Sequence, residues 1–166
     1  MEEIALAAGV VRSTLYVYFP SREALLRAAI QSMYAEFEAE LSATSPIAED
    51  PLGELERVIA ALITVVDRDP VFFRLMLGLE SHLTAAGAAV GAELATIAVS
   101  ISTVIEGLLE AASASGAIGQ HPVSDASLLV GQQLYGALAT RNAVTAVPSA
   151  SEMAKRIVTF CARGLA

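Results

Sequence analysis

The sequence predicts an all-α protein, and three observations carry that prediction. Apolar residues recur at helical steps of three and four, as in Leu26, Ile30, Met33, Phe37 and Leu41. No segment reads as a convincing strand. Helix punctuation is frequent, with Gly9, Pro20-Ser21, Asp69-Pro70, Ser124 and Ser151-Glu152 marking starts and stops.

Residues 2–8 are expected to form a short helix with Ile4, Ala5 and Ala8 on one side. Gly9 ends it, because glycine enters the left-handed region without a Cβ clash. A second short helix is expected over 12–19, stopped by Pro20, whose predecessor avoids the helical region. Ser21 caps a third helix running to about Ala43, with Glu23 in its first turn. The segment TSPIAEDP reads as a loop, and Leu52, Leu55, Ile59, Leu62 and Val66 stripe the next helix. Pro70 opens another that carries Phe72, Phe73, Met76 and Leu79. A long helix follows from about 88 to 114, striped by Leu94, Ile97, Ile101, Val104 and Leu108. After the loop SGAIGQHPVS, Ser124 is expected to cap a helix from 125 to about 146. Ser151 with Glu152 starts the last helix, and Gly164 closes it.

Composition narrows the function classes. With 55% hydrophobic and 17% charged residues in 166, the chain must bury a core, which excludes a disordered polymer. The acidic start, MEEI, is no secretory signal. The longest uncharged stretches are interrupted by Ser, Thr, His or Gln, so no membrane association is expected. Cys161 stands alone, without an internal disulfide partner or zinc-type spacing, and it shares an apolar helix with Ile157 and Phe160. Cytoplasmic location is the natural expectation. No glycine-rich phosphate loop, carboxylate–histidine cluster or nucleophile elbow is present. The chain is therefore not expected to be an enzyme, to hold a metal or to need a cofactor. The net charge of −8 does not propose a nucleic-acid partner. Residues 1–30 are nonetheless neutral, with Glu2, Glu3 and Glu23 balanced by Arg12, Arg22 and Arg27.

Two short helices about a glycine turn are the layout of a helix-turn-helix. On a helical wheel with Leu15 at 0°, Phe19 falls at about 40° and Val11 at about −40°, giving an inward face. Ser13, Val17 and Thr14 fall on the opposite side, with Tyr16 and Tyr18 on the flanks. A helix lying in the major groove needs that arrangement: small side chains toward base edges, longer hydroxyl-bearing ones toward phosphates. Arg12 stands at the helix start, where recognition helices meet the bases.

The run IALAAGVVRSTLYVYFPSREALLRAAI resembles the N-terminal signature of the TetR family of bacterial transcription regulators. The likeness lies in an I-A-x-x-A-G-V helix and turn, then S-T-L-Y-x-Y-F, then P-S-R-E-A-L. It covers residues 2–30; the rest of the chain is similar to the family only in layout. The resemblance implies that Arg12, Ser13, Thr14 and Val17 face bases, while Tyr16, Tyr18 and Arg22 meet phosphates. It implies core roles for Ile4, Val10, Leu15, Phe19 and Leu25. Relative to the family pattern, the helix expected before residue 1 is missing from this sequence.

The organisation expected is a helix-turn-helix DNA-binding segment with its connecting helix over 1–43, then a TetR-type helical ligand-binding and dimerisation domain over 44–166. The function implied is a ligand-responsive regulator, a repressor, binding a near-palindromic double-stranded DNA operator as a homodimer through its last two helices. The alternative is a truncated dimerisation module that does not bind DNA. Phe72, Phe73 and Met76 from one helix and Ile101, Val104 and Leu108 from another are the expected walls of a pocket for a small, mostly apolar effector. Gln132 and Tyr135 are its expected polar anchors.

Overall fold

The computed structural model describes residues 1–44, 46–47, 49–69, 85–141 and 147–166. Among these the chain is helical and contains no strand. We number the described helices α1 (Glu2–Ala7), α2 (Arg12–Tyr18), α3 (Arg22–Ser42), α4 (Pro51–Arg68), α5 (Ala85–Ala114), α6 (Val123–Arg141) and α7 (Ala150–Gly164). The helix expected from Pro70, with Phe72, Phe73 and Met76, lies outside the described residues.

Local chemistry explains most boundaries. Gly9 adopts φ +67°, and Val10 N–H donates to the Ala5 carbonyl (3.0 Å) while Gly9 N–H donates to that of Leu6 (3.1 Å). This pair of bonds closes α1 as a Schellman motif, a geometry that favours glycine. Gly116 repeats the device after α5, with φ +77° and the Ala117 N–H on the Ala112 carbonyl at 2.9 Å. Ser21 caps α3 by accepting from Ala24 N–H at 3.1 Å. Asp50 caps α4 by accepting from Gly53 N–H at 3.0 Å, with Pro51 in the first helical position.

Two expected helix starts are corrected. The cap of α7 is Ser149, which accepts from Glu152 N–H at 3.2 Å, rather than Ser151. A cap side chain reaches the third N–H into the helix, and only Ser149 stands at that distance from Glu152. Ser124 lies inside the first turn of α6, beyond Val123, and its hydroxyl meets Asp125 rather than a backbone N–H. Gly164 ends α7 as expected, with Leu165 following as the cap.

Helix α4 is the spine. Leu55, Ile59, Ile63 and Val66 join a core with Ile105, Leu109 and Ala112 of α5, Ala126, Val130 and Leu138 of α6, and Ala154, Ile157, Val158 and Cys161 of α7. A second face of the same helix, Val58, Ala61 and Val65, packs on Phe37 of α3. The α3 stripe thus does what its spacing predicts, with Leu26, Ile30 and Phe37 buried. The expected α5 stripe holds in part: Ile101 and Leu108 pack against the core, but the fully buried residues are Ile105, Leu109 and Ala112, and Val104 is 49% exposed. Ala95–Ala114 is long and apolar enough to cross a bilayer by composition, yet one face of it enters this shared core.

Burial also bears out Cys161, whose thiol pKa is pushed up by desolvation. The Ile118–Gly119 loop is tied to the chain end by the Gly119 N–H on the Leu165 carbonyl, at 2.6 Å.

Candidate nucleic-acid interface and effector cavity

Helix α2 presents the layout expected of it. Leu15 is buried against α1, with Ala5 buried beside it, and Phe19 is half-buried at the C-terminal end. Ser13, Thr14 and Val17 are exposed, Val17 to 79%, and Arg12, Tyr16 and Tyr18 on the flanks are exposed too. Arg22, first residue of α3, is exposed as well.

Two inward assignments fail. Val11 is 67% exposed because it is the N-cap, with an extended backbone that takes it off the helical wheel. Val10, in the turn, is exposed too.

The Arg12 side chain is not loose. Its guanidinium carbon lies 5.4 Å from the centroid of the Tyr16 ring, one turn along the same face. Glu2 of α1 approaches the guanidinium at 3.9 Å. The guanidinium pKa is raised above its ordinary value, chiefly by a hydrogen bond to Tyr16, with Glu2 a lesser cause. Arg12 is charged at any accessible pH, so the geometry matters more than the shift.

In the body, Ile101 and Val104 line a cavity of about 200 Å³. Their neighbours there are Tyr34, Phe37, Glu38 and Leu41 of α3, with Val58 of α4 and Ser100. The contribution of α3 was missed by sequence reasoning, although Phe37 and Leu41 were in its apolar stripe. Leu108 packs against both core clusters and is not among the cavity's lining residues. Gln132 and Tyr135 are not brought to this cavity either. They line a separate, open groove of about 520 Å³ on α6, with Ser102, Ser127, Leu128 and Gly131 nearby. The residues expected to form one pocket therefore line two separate cavities. Phe72, Phe73 and Met76 fall outside the described residues.

An exposed, glycine-hinged helix carrying arginine and hydroxyl side chains, continued by a long helix into an all-helical body, has the layout of a helix-turn-helix segment joined to a helical domain. Comparison with known proteins shows what the chain is similar to. Residues 1–29 match the model of bacterial regulatory proteins of the tetR family. The fold is similar to that of the TetR-family transcriptional regulator PfmR from Thermus thermophilus, with TM-score 0.71 and 22% identity, covering 99% of this chain and 88% of that one. It is similar to the fatty acid degradation regulator FadR from Bacillus halodurans, with TM-score 0.70 and 16% identity over 99% and 88% of the two chains. A protein of unknown function from a Rhodococcus species shares the fold at TM-score 0.69 and 21% identity, over 99% and 84%. Comparison with curated proteins gives no match. The N-terminal match and the shared architecture make the chain similar to TetR-family transcription regulators, in sequence over residues 1–29 and in fold over its length.

Proposed function

We propose that the chain is a ligand-responsive repressor that holds a near-palindromic operator as a homodimer and releases it when a small, mostly apolar effector binds. In this reading residues 1–43 are the reader and its lever, residues 44–166 the regulatory body, and the protein works in the cytoplasm beside the DNA.

The observation that carries the reading is the make-up of the 200 Å³ cavity. Tyr34, Phe37 and Leu41 belong to α3, the helix whose first turn follows the reader directly. A ligand that wedges between these side chains and Ile101 acts on the lever itself. It can alter DNA affinity only if it binds the two lever positions unequally. The walls are aromatic and aliphatic, with Glu38 and Ser100 at hand for a donor or hydroxyl on the effector.

The dimer is supported by apolar side chains left uncovered on the last two helices. Leu128, Leu129 and Tyr135 of α6 and Phe160 of α7 are exposed, Leu128 and Phe160 to 60% and 65%. Apolar surface gathered there favours a self-complementary contact about a two-fold axis. Two readers would then meet half-sites about 34 Å apart or more.

The test is fluorescence anisotropy on an operator obtained by selection from random duplexes. The reading requires specific binding, and its loss on adding small aromatic or branched aliphatic compounds. Phe37→Trp, which fills the cavity, should abolish that response while leaving DNA binding intact. A chain that dimerises but binds no duplex is instead a dimerisation module.

A further inference from the structure

We infer that Tyr16 sets the base preference of the reader by holding Arg12, and is not solely a phosphate contact. This rests on the reading of α2 as the groove-facing helix.

Three facts place the two side chains in one unit. They are four residues apart on α2, so they share a face. The Arg12 guanidinium carbon lies 5.4 Å from the Tyr16 ring centroid. The guanidinium also has a partner in Glu2, at 3.9 Å, so it is bracketed between a ring on its own helix and a carboxylate on α1. A free arginine on a helix surface explores many rotamers, and each must be given up when it meets a base. One laid against an aromatic ring has surrendered part of that freedom beforehand.

The chemistry of arginine makes the direction of the effect specific. Its planar fork donates two parallel hydrogen bonds, matching O6 and N7 of guanine. Contact with Tyr16 holds the guanidinium at one end of α2, and the fork has donors enough to meet a base while it stays beside the ring. Glu2 competes weakly, because both partners are exposed and the separation is long. DNA can therefore replace Glu2 without disturbing Tyr16. Tyr16 is a positioning residue: its side chain aims Arg12.

Base preference separates this role from a phosphate contact. Binding of the full chain is measured on the selected operator and on every single-base-pair variant of one half-site. The proteins are the unaltered chain, Arg12→Ala, Tyr16→Leu, Tyr16→Phe and the Arg12→Ala/Tyr16→Leu double variant. The unaltered chain should prefer G·C at one position by on the order of ten-fold. Arg12→Ala should remove that preference, and Tyr16→Leu should reduce it at the same position by at least half. The double variant should show the profile of Arg12→Ala alone. Tyr16→Phe keeps the ring and should restore the preference, with affinity lowered equally on all sequences. Circular dichroism confirms that each variant is folded. If Tyr16→Leu weakens binding evenly and keeps the profile, the inference is overturned while the DNA-binding reading stands. If the unaltered chain shows no sequence preference at all, both fall.

Discussion

Arg141, the last residue of α6, grips Asp67 near the end of α4 with two parallel hydrogen bonds, Nε to Oδ1 at 2.5 Å and Nη2 to Oδ2 at 2.6 Å. Its Nη1 donates to the Pro148 carbonyl at 2.5 Å, just before α7 begins. One side chain, only 7% exposed, therefore ties the spine helix to both helices of the proposed dimer face. Bidentate geometry of this kind belongs to arginine. We expect Arg141→Ala to lower stability by about 2 kcal/mol. Arg141→Lys should recover less than half, because an ammonium cannot serve both carboxylate oxygens and the carbonyl. Urea unfolding of the three proteins gives the comparison, and an Asp67→Asn/Arg141→Ala cycle isolates the pair.

A second arginine sets a pH dependence. Arg57 donates from Nε and Nη2 to Glu54 at 2.8 and 2.5 Å, and from Nη1 to the Leu41 carbonyl and to Thr44. It thereby ties the C-terminal turn of α3 to the start of α4. The Glu54 pKa is lowered, chiefly by the bond from Arg57, against a counteracting desolvation, with the Ile47 N–H assisting. A carboxyl that is more acidic in the folded state stabilises above its unfolded pKa of about 4.3. That contribution is lost as pH falls through the lower folded value. Glu54→Gln should therefore be less stable than the parent near neutrality, and the difference should shrink below about pH 4.3. Urea midpoints measured across that range test the sign.

Gly9 gives a backbone test. A Cβ there would meet nothing within 4 Å, so the cost of a side chain is conformational alone, set by φ +67°. Gly9→Ala should destabilise the α1–α2 unit by about 1 kcal/mol, and Gly9→Asn by less. Amide hydrogen exchange in α2 should show faster opening in the first and little change in the second. Protection in α4 should be unaltered.

The dimer proposal is tested by charge. Leu128→Glu with Phe160→Glu places two carboxylates on side chains that are already exposed in one copy, so the monomer fold should survive. Light scattering should show a monomer at micromolar concentration where the parent is a dimer, with an unchanged helical spectrum.

Local signals were the legible part of the fold. Gly9, Pro20 and Ser21 each act within a few residues, and their turn, stop and cap are where the sequence places them. At the head of α7 the right answer was also in the sequence: Ser149-Ala150-Ser151-Glu152 holds the Ser-x-x-Glu spacing from Ser149, while adjacency drew attention to Ser151. The α5 stripe was right at Ile101 and Leu108 and wrong at Val104, because that helix is apolar on several sides and periodicity alone cannot say whether Val104 or Ile105 turns inward. The cavity was half legible. Ile101 and Val104 could be named, but Tyr34 and Val58 meet them only through the packing of three helices. The Asp67–Arg141 grip spans seventy-four residues and left no trace in either local pattern. The Arg12–Tyr16 pairing was one turn apart and could have been found. Reading the two residues as separate contacts, one to a base and one to a phosphate, concealed it.

The account depends on the outer face of α2 lying against bases, and photo-cross-linking tests this most directly. A photoreactive phenylalanine analogue replaces Val17, which is 79% exposed at the centre of that face, and for comparison replaces Leu128 on α6. On the selected operator, the Val17 probe should attach to bases in two half-sites about one helical turn or more apart, and the Leu128 probe to none. Specific binding of the operator without any attachment from position 17 would contradict the account.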